Sequence, residues 1–176
     1  MKKLLLGISI LLGSLSFAQG DDCANATDLG TLPAPNGCPD GSGTLFTYNG
    51  NNFGATAENP YSSLACMDAP AADVWVSFVA SGNEMDLNFT SGFNDANIGI
   101  YTGNCNGLTG LFCESSNNGN INATLSPFTP GDTYYMQISG QNETDFANFT
   151  LEMTNFMNCD LCVLSSNITA TPPPTN

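Results

Sequence analysis

Five short runs of this chain alternate apolar and polar residues with a period of two, and no other feature constrains the fold as strongly. These runs are residues 85–89, 96–101, 121–126, 134–139 and 149–153. Such alternation predicts antiparallel strands that place one face in a core and the other in water. Residues 74–79 are apolar almost throughout and predict a central strand, and weaker strands are predicted at 44–48 and 54–57.

Turn-forming residues separate the runs, as in Asn117–Asn118–Gly119–Asn120 and Thr129–Pro130–Gly131–Asp132. Gly, Pro, Asn and Asp favour tight turns, and short strands punctuated in this way are typical of β-sandwiches. No segment beyond the N-terminal apolar run follows a helical period. The sequence therefore predicts an all-β, antiparallel β-sandwich of the jelly-roll type, with about eight or nine strands and disulfide staples.

Positive charge is confined to the first three residues. Lys2 and Lys3 are the only cationic side chains, histidine is absent, and all sixteen acidic residues follow. Nucleic acids are excluded as partners because they are held mainly by Lys and Arg. After Lys3, no histidine or lysine base is present to activate a Ser or Cys nucleophile. Acid-only chemistry would need paired carboxylates, and the acidic residues are scattered singly through turns, so we expect no enzyme activity.

The N-terminus has the pattern of a secretory signal peptide, predicted to span residues 1–18. Two lysines precede a short apolar run, and Ser16–Phe17–Ala18 places small residues where signal peptidase cleaves. The run is too short and too glycine-interrupted for a membrane span. We therefore expect a secreted or cell-surface protein, with the periplasm as an alternative, and no membrane insertion after cleavage.

Seven cysteines occur, and export would allow them to form disulfides, with at least one left over. They are Cys23, Cys38, Cys66, Cys105, Cys113, Cys159 and Cys162. Cys105 and Cys113 are close in sequence and are predicted to pair, which would add roughly 2–3 kcal/mol to stability. Cys159 and Cys162 form a lone CxxC, for which a structural disulfide is favoured over a metal or redox site, because the second half of a zinc site is missing.

Composition divides the remaining chain into three parts. Residues 19–42 are predicted to be a loop-rich entry segment that carries cysteines, and residues 43–158 the sandwich domain. Residues 159–176 contain the CxxC and a Pro- and Thr-rich stretch, which indicates an extended linker. We expect this linker to lead to a missing downstream domain.

Four motifs occur in a characteristic order: Asp73–Val74–Trp75–Val76–Ser77–Phe78, then Ile98–Gly99–Ile100–Tyr101–Thr102–Gly103–Asn104–Cys105, then Leu108–Thr109–Gly110–Leu111–Phe112–Cys113, then Thr129–Pro130–Gly131–Asp132–Thr133–Tyr134–Tyr135. This order resembles the secreted β-sandwich modules similar to bacterial pre-peptidase C-terminal (PPC-like) domains, found in type IX-secreted multidomain proteins. The resemblance implies a non-catalytic accessory module.

Two functions remain open on this basis. The first is an extracellular interaction module that binds a glycan or a protein, for example in adhesion. The second is an accessory domain of a secreted protease or other hydrolase whose catalytic domain lies outside this chain. The partner would be an extracellular protein, a glycan or a neighbouring domain of the same polypeptide, and no organic cofactor is expected.

Calcium is the ion that an acidic, cation-free surface would attract. Hard cations prefer carboxylate and carbonyl oxygens, and the acidic turns offer four candidate ligands: Asp73, Asp95, Asp132 and Asp145. The same residues also favour turns through local hydrogen bonds, so they could serve only as turn formers.

Aromatic rings could stack on the rings of a bound sugar. Tyr48, Tyr61 and Tyr101 are the candidates for exposed stacking residues. Trp75 lies in the most apolar predicted strand and is expected to pack in the interior.

Overall fold

The computed structural model describes residues 20–37, 43–57, 64–67 and 71–157. These residues form nine β-strands: β1 (Thr27–Thr31), β2 (Leu45–Asn51), β3 (Asp73–Val79), β4 (Glu84–Ser91), β5 (Ala96–Asn104), β6 (Gly107–Ser116), β7 (Asn120–Leu125), β8 (Thr133–Ser139) and β9 (Asn148–Phe156). Two single 3-10 turns, Cys23–Asn25 and Ala65–Met67, accompany them. None of the described residues forms a helix long and apolar enough to cross a membrane.

The strands form two sheets. The five-stranded sheet has the order β1-β3-β8-β5-β6 and the four-stranded sheet the order β2-β9-β4-β7. Neighbouring strands are antiparallel except for β1 and β3, which are parallel. The prediction of an all-β antiparallel sandwich with about eight or nine strands is confirmed, with nine strands and one parallel pair, β1 and β3, among the described residues.

The core lies between the two sheets and is built by the alternation seen in the sequence. Its fully buried side chains include Phe78, Phe89, Met136, Ile138 and Leu151. Phe89 lies 5.4 Å from Phe149, measured between ring centroids, in an arrangement that aromatic pairs prefer. Dispersion and the burial of apolar area in this layer therefore hold the two sheets together.

Three local elements differ from expectation. Residues 54–57 were predicted as a strand, but the Ala55 amide donates to the Asn52 carbonyl in a turn that ends β2. Strand β1 lies within the segment predicted to be loop-rich, and it is stabilised by backbone pairing with β3. Strand β6 carries no regular alternation, since Gly107 and Gly110 interrupt it, and its pairing with β5 forms it.

Two disulfides connect distant parts of the described chain. Cys23 is bonded to Cys105 and Cys66 to Cys113, with Cα–Cα distances of 5.6 and 5.8 Å. The predicted Cys105–Cys113 pair is therefore wrong. Cys105 lies in the tight turn between β5 and β6, whereas Cys113 lies six residues along β6 from the start of that strand. Six strand residues span about 20 Å, far beyond the Cα separation that a disulfide permits.

Several predictions fall outside the described residues. They concern the signal peptide at 1–18, Tyr61, Cys38, and the CxxC and linker at 159–176.

Candidate functional site

The outer faces of the two sheets differ in how much of them is exposed to solvent. On the five-stranded sheet, Trp75 and Tyr101 point away from the main core yet are 0% exposed. Their ring centroids lie 5.4 Å apart, and they form a second apolar cluster with Leu64, Met67 and Cys23. Chain segments lying across the sheet bury this cluster, so the outer face of the five-stranded sheet is covered in this region.

The two disulfides hold the covering segments in place. Cys23 belongs to the N-terminal segment, whose Gly20 carbonyl accepts a hydrogen bond of 2.6 Å from the Trp75 amide. Cys66 belongs to residues 64–67, and its amide contacts the Cys113 sulfur at 2.9 Å. Gly99 leaves room for this cover, because a Cβ there would lie 3.1 Å from the Leu64 side chain.

Tyr101 therefore does not offer an exposed ring, contrary to the prediction. The alternation correctly placed it on the outer side of β5, but the cover buries that side. Its hydroxyl donates to Gln137 Oε1 at 2.8 Å, and Gln137 Nε2 donates to Asp73 Oδ2 at 2.7 Å. These three side chains form a buried polar chain beneath the cover.

Tyr48 is also not placed for stacking on the outside. It is half-buried on the inner side of β2 and packs against the core, with its ring centroid 6.2 Å from that of Phe149.

The four predicted calcium ligands are spread over the fold. Asp73 is buried at the start of β3, and Asp132 is exposed beyond the other end of the paired strands β3 and β8, about 20 Å along the sheet. Asp145 accepts hydrogen bonds from the Gln141 amide at 3.1 Å and from Asn94 Nδ2 at 3.5 Å. Asp95 is half-buried in the turn between β4 and β5.

Within the described ranges, no three His, Cys, Asp or Glu side chains converge as a group that could hold a metal ion. The four aspartates therefore do not form one calcium site, and calcium binding stays a prediction.

The outer face of the four-stranded sheet, which we call the open face, presents three cross-strand rows of side chains. The register aligns Leu45, Thr154, Asp86 and Thr124 in row 1; Thr47, Glu152, Asn88 and Asn122 in row 2; and Asn49, Thr150, Thr90 and Asn120 in row 3. Each of these side chains is exposed or half-exposed. All but Leu45 carry a hydroxyl, amide or carboxylate, so the face is a continuous array of hydrogen-bonding groups.

Cross-strand hydrogen bonds order this array. Thr124 Oγ1 donates to Asp86 Oδ1 at 2.7 Å in row 1, and Asn88 Nδ2 donates to Glu152 Oε2 at 2.7 Å in row 2. In row 3, Thr150 Oγ1 donates to Asn49 Oδ1 at 2.8 Å. Such pairs contribute a few tenths of a kcal/mol to about 1 kcal/mol each.

Two shallow concavities lie on the open face. One, of about 420 Å³, is lined by both carboxylates of the rows, Asp86 and Glu152. The other, of about 520 Å³, is lined by neutral polar groups: Asn49, Asn51, Thr90, Ser91, Asn148 and Thr150. Neither contains a hydroxyl or thiol nucleophile beside a histidine or lysine base, because the chain has no histidine and no lysine after Lys3.

Two exposed phenyl rings stand at one end of this face. Phe53 is 53% exposed and Phe146 is 38% exposed, and their ring centroids are 6.5 Å apart. The sequence interpretation missed them because both lie in loops. The sequence did contain a pattern that could have indicated them. Phe53 lies two residues after Asn51, the last outward-facing position of β2, and Phe146 lies two residues before Asn148, the first outward-facing position of β9.

Comparisons with known proteins give no assignment of family. No family model matches the chain, and no curated protein matches it. Among solved structures, one similar chain is the periplasmic g-type lysozyme inhibitor PliG of Aeromonas hydrophila, at 10% identity. The alignment covers 73% of this chain and 98% of that chain, with a TM-score of 0.36. A likeness at this level carries no conclusion about fold or function.

Proposed function

We propose that this chain is a non-catalytic extracellular interaction module that binds its partner with the open face. The observation that supports this most directly is the ordered polar array of rows 1 to 3. The other sheet is partly covered by disulfide-bonded segments, whereas this sheet presents its rows to solvent. Cross-strand pairing is usual on a solvated sheet face, and the two concavities are the places on this face where a partner could dock.

An extracellular or periplasmic location agrees with the two disulfides, which persist in oxidising compartments. On an exported protein the module would serve adhesion, or would hold a catalytic neighbour near its substrate. The resemblance to PPC-like modules belongs to the same proposal.

The carboxylates of the open face are poorly placed for catalysis. Asp86 and Glu152 lie diagonally across neighbouring rows, and paired carboxylates can hydrolyse glycosides. Both, however, lie on an open surface, and each already accepts a hydrogen bond from its neighbour. A general acid works best in a site that excludes water, which an open sheet face does not provide.

A pair of matched substitutions tests the proposal. Thr90 lies in row 3, and Thr90→Arg would place a long cationic side chain there, whereas Thr109→Arg makes the same change at an exposed position of β6. Purified protein is titrated against a panel of neutral polysaccharides, anionic polysaccharides and oligolysine peptides. We expect any panel member that binds to lose affinity with Thr90→Arg and to keep it with Thr109→Arg.

The opposite pattern of sensitivity would overturn the proposal, as would a panel on which nothing binds. Release of new reducing ends from a polysaccharide would instead indicate an enzyme. In that case Asp86→Asn and Glu152→Gln should each abolish the release.

A further inference from the structure

If the open face is the binding surface proposed above, we infer that Phe53 and Phe146 form the stacking end of a site for an uncharged oligosaccharide. Strands β2 and β9 pair Asn49 with Thr150 and Asn51 with Asn148. The register ends there, but the Asn52 amide still donates to the Ala147 carbonyl at 3.3 Å, and the Phe53 and Phe146 rings lie just beyond, 6.5 Å apart between centroids. The phenyl pair therefore lies at the end of β2 and β9 that follows row 3.

The buried side-chain amide of Asn52 makes hydrogen bonds to the loops that carry the two rings. Asn52 is 0% exposed, and its Nδ2 donates to the carbonyls of Ala72 and Asp145, both at 2.9 Å. Its Oδ1 accepts from the Ala147 amide at 2.8 Å. Asn52 adjoins Phe53, and two of its partners, Asp145 and Ala147, flank Phe146, so the backbone that carries both rings is held before a ligand binds. Such preorganisation lowers the entropic cost of binding.

The groups beside the rings suit sugar hydroxyls. The concavity of about 520 Å³ next to the pair is lined by amides and hydroxyls, which both donate and accept hydrogen bonds. A pyranose ring has an apolar C–H face that packs on a phenyl ring and an equatorial rim of hydroxyls. Thr150 is four residues after Phe146, about 13 Å away along extended chain, so a sugar that reaches both must be longer than one pyranose ring.

Charge argues against an anionic ligand, whereas a cationic ligand is the competitor that the test has to distinguish. An anionic ligand would meet no cationic side chain, because none follows Lys3. A cationic segment stacked on the phenyl pair would gain little from the carboxylates of the rows. The nearer one along β9, Glu152, is six residues from Phe146, about 20 Å, and the Debye length at physiological salt is about 8 Å. Asp145, next to Phe146 in sequence, already accepts two hydrogen bonds. Glu143, three residues from Phe146, is exposed, so oligolysine is the cationic competitor to be compared with the sugars.

The test is a titration of the full exported chain with six uncharged hexasaccharides: β-1,4-glucan, β-1,3-glucan, β-1,4-xylan, β-1,4-mannan, α-1,4-glucan and chitin. Calorimetry reports the affinity. We expect at least one to bind, and Phe53→Ala and Phe146→Ala each to weaken it about tenfold, as loss of an aromatic contact predicts. Phe53→Tyr keeps a ring and should retain affinity.

Thr109 provides the control. It is exposed on β6 of the five-stranded sheet, outside the open face. Thr109→Ala trims an exposed side chain away from the proposed binding surface and should change the affinity by less than a factor of about two. Thermal denaturation of each variant verifies that the fold is retained.

Failure of this inference can be told apart from failure of the proposed function. If no hexasaccharide binds at millimolar concentration, or if binding ignores both phenylalanine substitutions, the oligosaccharide site is wrong. Should oligolysine bind instead, and lose affinity with Thr90→Arg, the open face still binds a partner and only the ligand class is overturned. Binding that ignores Thr90→Arg as well would overturn both.

Discussion

The hydroxyl of Tyr101 donates a 2.8 Å hydrogen bond to Gln137 Oε1 in a part of the five-stranded sheet where both side chains are buried. Gln137 in turn donates to Asp73, so a carboxylate 1% exposed is linked through one amide to a phenol. Buried polar groups are costly unless their hydrogen bonds are made. The two disulfide-bonded segments thus bury the hydrogen bonds that link Tyr101, Gln137 and Asp73. Breaking either bond would leave a buried polar group without that partner.

Replacing Tyr101 with phenylalanine tests how much this chain contributes. The substitution removes the hydroxyl and leaves Gln137 Oε1 without that donor in a buried site. We expect the free energy of unfolding to fall by about 1–3 kcal/mol, the usual cost of an unsatisfied buried acceptor. Urea denaturation followed by tryptophan fluorescence measures the change, because the single tryptophan, Trp75, lies 5.4 Å from Tyr101 between ring centroids.

Tyr135 serves as the control for this substitution. It lies opposite Tyr101 on β8 and packs on the same apolar cluster, but it is only half-buried. Tyr135→Phe should change stability by less than about 0.5 kcal/mol. Equal losses from both variants would show that the buried hydroxyl contributes nothing specific.

Each of the two disulfides is expected to raise the free energy of unfolding substantially. In the chain-entropy description, bonds that close sequence separations of 82 and 47 residues each stabilise the fold by about 4 kcal/mol. Replacing Cys23 and Cys105 together with alanine, or Cys66 and Cys113 together, should therefore lower the free energy of unfolding by several kcal/mol. Denaturation in urea at fixed pH measures both losses.

Peptide mapping without reduction checks the pairing directly. Trypsin is of no use because no Lys or Arg follows Lys3. Chymotrypsin can cut after Leu111 or Phe112 and so separates Cys105 from Cys113. We expect the Cys105 peptide to be linked to Cys23 and the Cys113 peptide to Cys66. A direct link between Cys105 and Cys113 would contradict the hairpin register.

Asn52 is expected to contribute strongly to stability, because its one side chain makes hydrogen bonds to three backbone groups in two separate loops. Asn52→Ala leaves those groups unpaired and should cost about 2–4 kcal/mol of stability. Hydrogen exchange at the Ala147 amide should accelerate more than exchange in the centre of β9. Asn122→Ala, at an exposed position of β7, is the matched control and should alter neither quantity.

The sandwich could be predicted because burial on one face imposes a period of two, as in Met85, Leu87 and Phe89 of β4. That pattern identifies the side of a strand but not what covers it. Tyr101 is on the outer side, as its alternation indicates, and is nevertheless buried by segments that are distant in sequence. The cysteine pairs could not be predicted from the sequence either. They depend on where residues 20–25 and 64–67 lie on the five-stranded sheet.

The open face was only partly predictable. Its residues are the polar partners in the alternating runs, so their outward direction follows from the sequence. Their order across the sheet does not, because β2 and β4 both pair with β9, the last strand of the described residues. Phe53 and Phe146 are more than ninety residues apart, and only the register of β2 and β9 brings their rings together.

The excess of negative charge makes a final prediction about ions. Sixteen carboxylates follow Lys3 without a compensating cationic side chain, and their repulsion destabilises the compact state. Since no three acidic side chains in the described ranges converge, we expect ions to act mainly by screening. The melting temperature should then rise with ionic strength by the same amount in NaCl and in CaCl2 matched for ionic strength. A larger rise with CaCl2 that EDTA reverses would instead indicate a calcium site, and Asp95→Asn and Asp145→Asn would locate it.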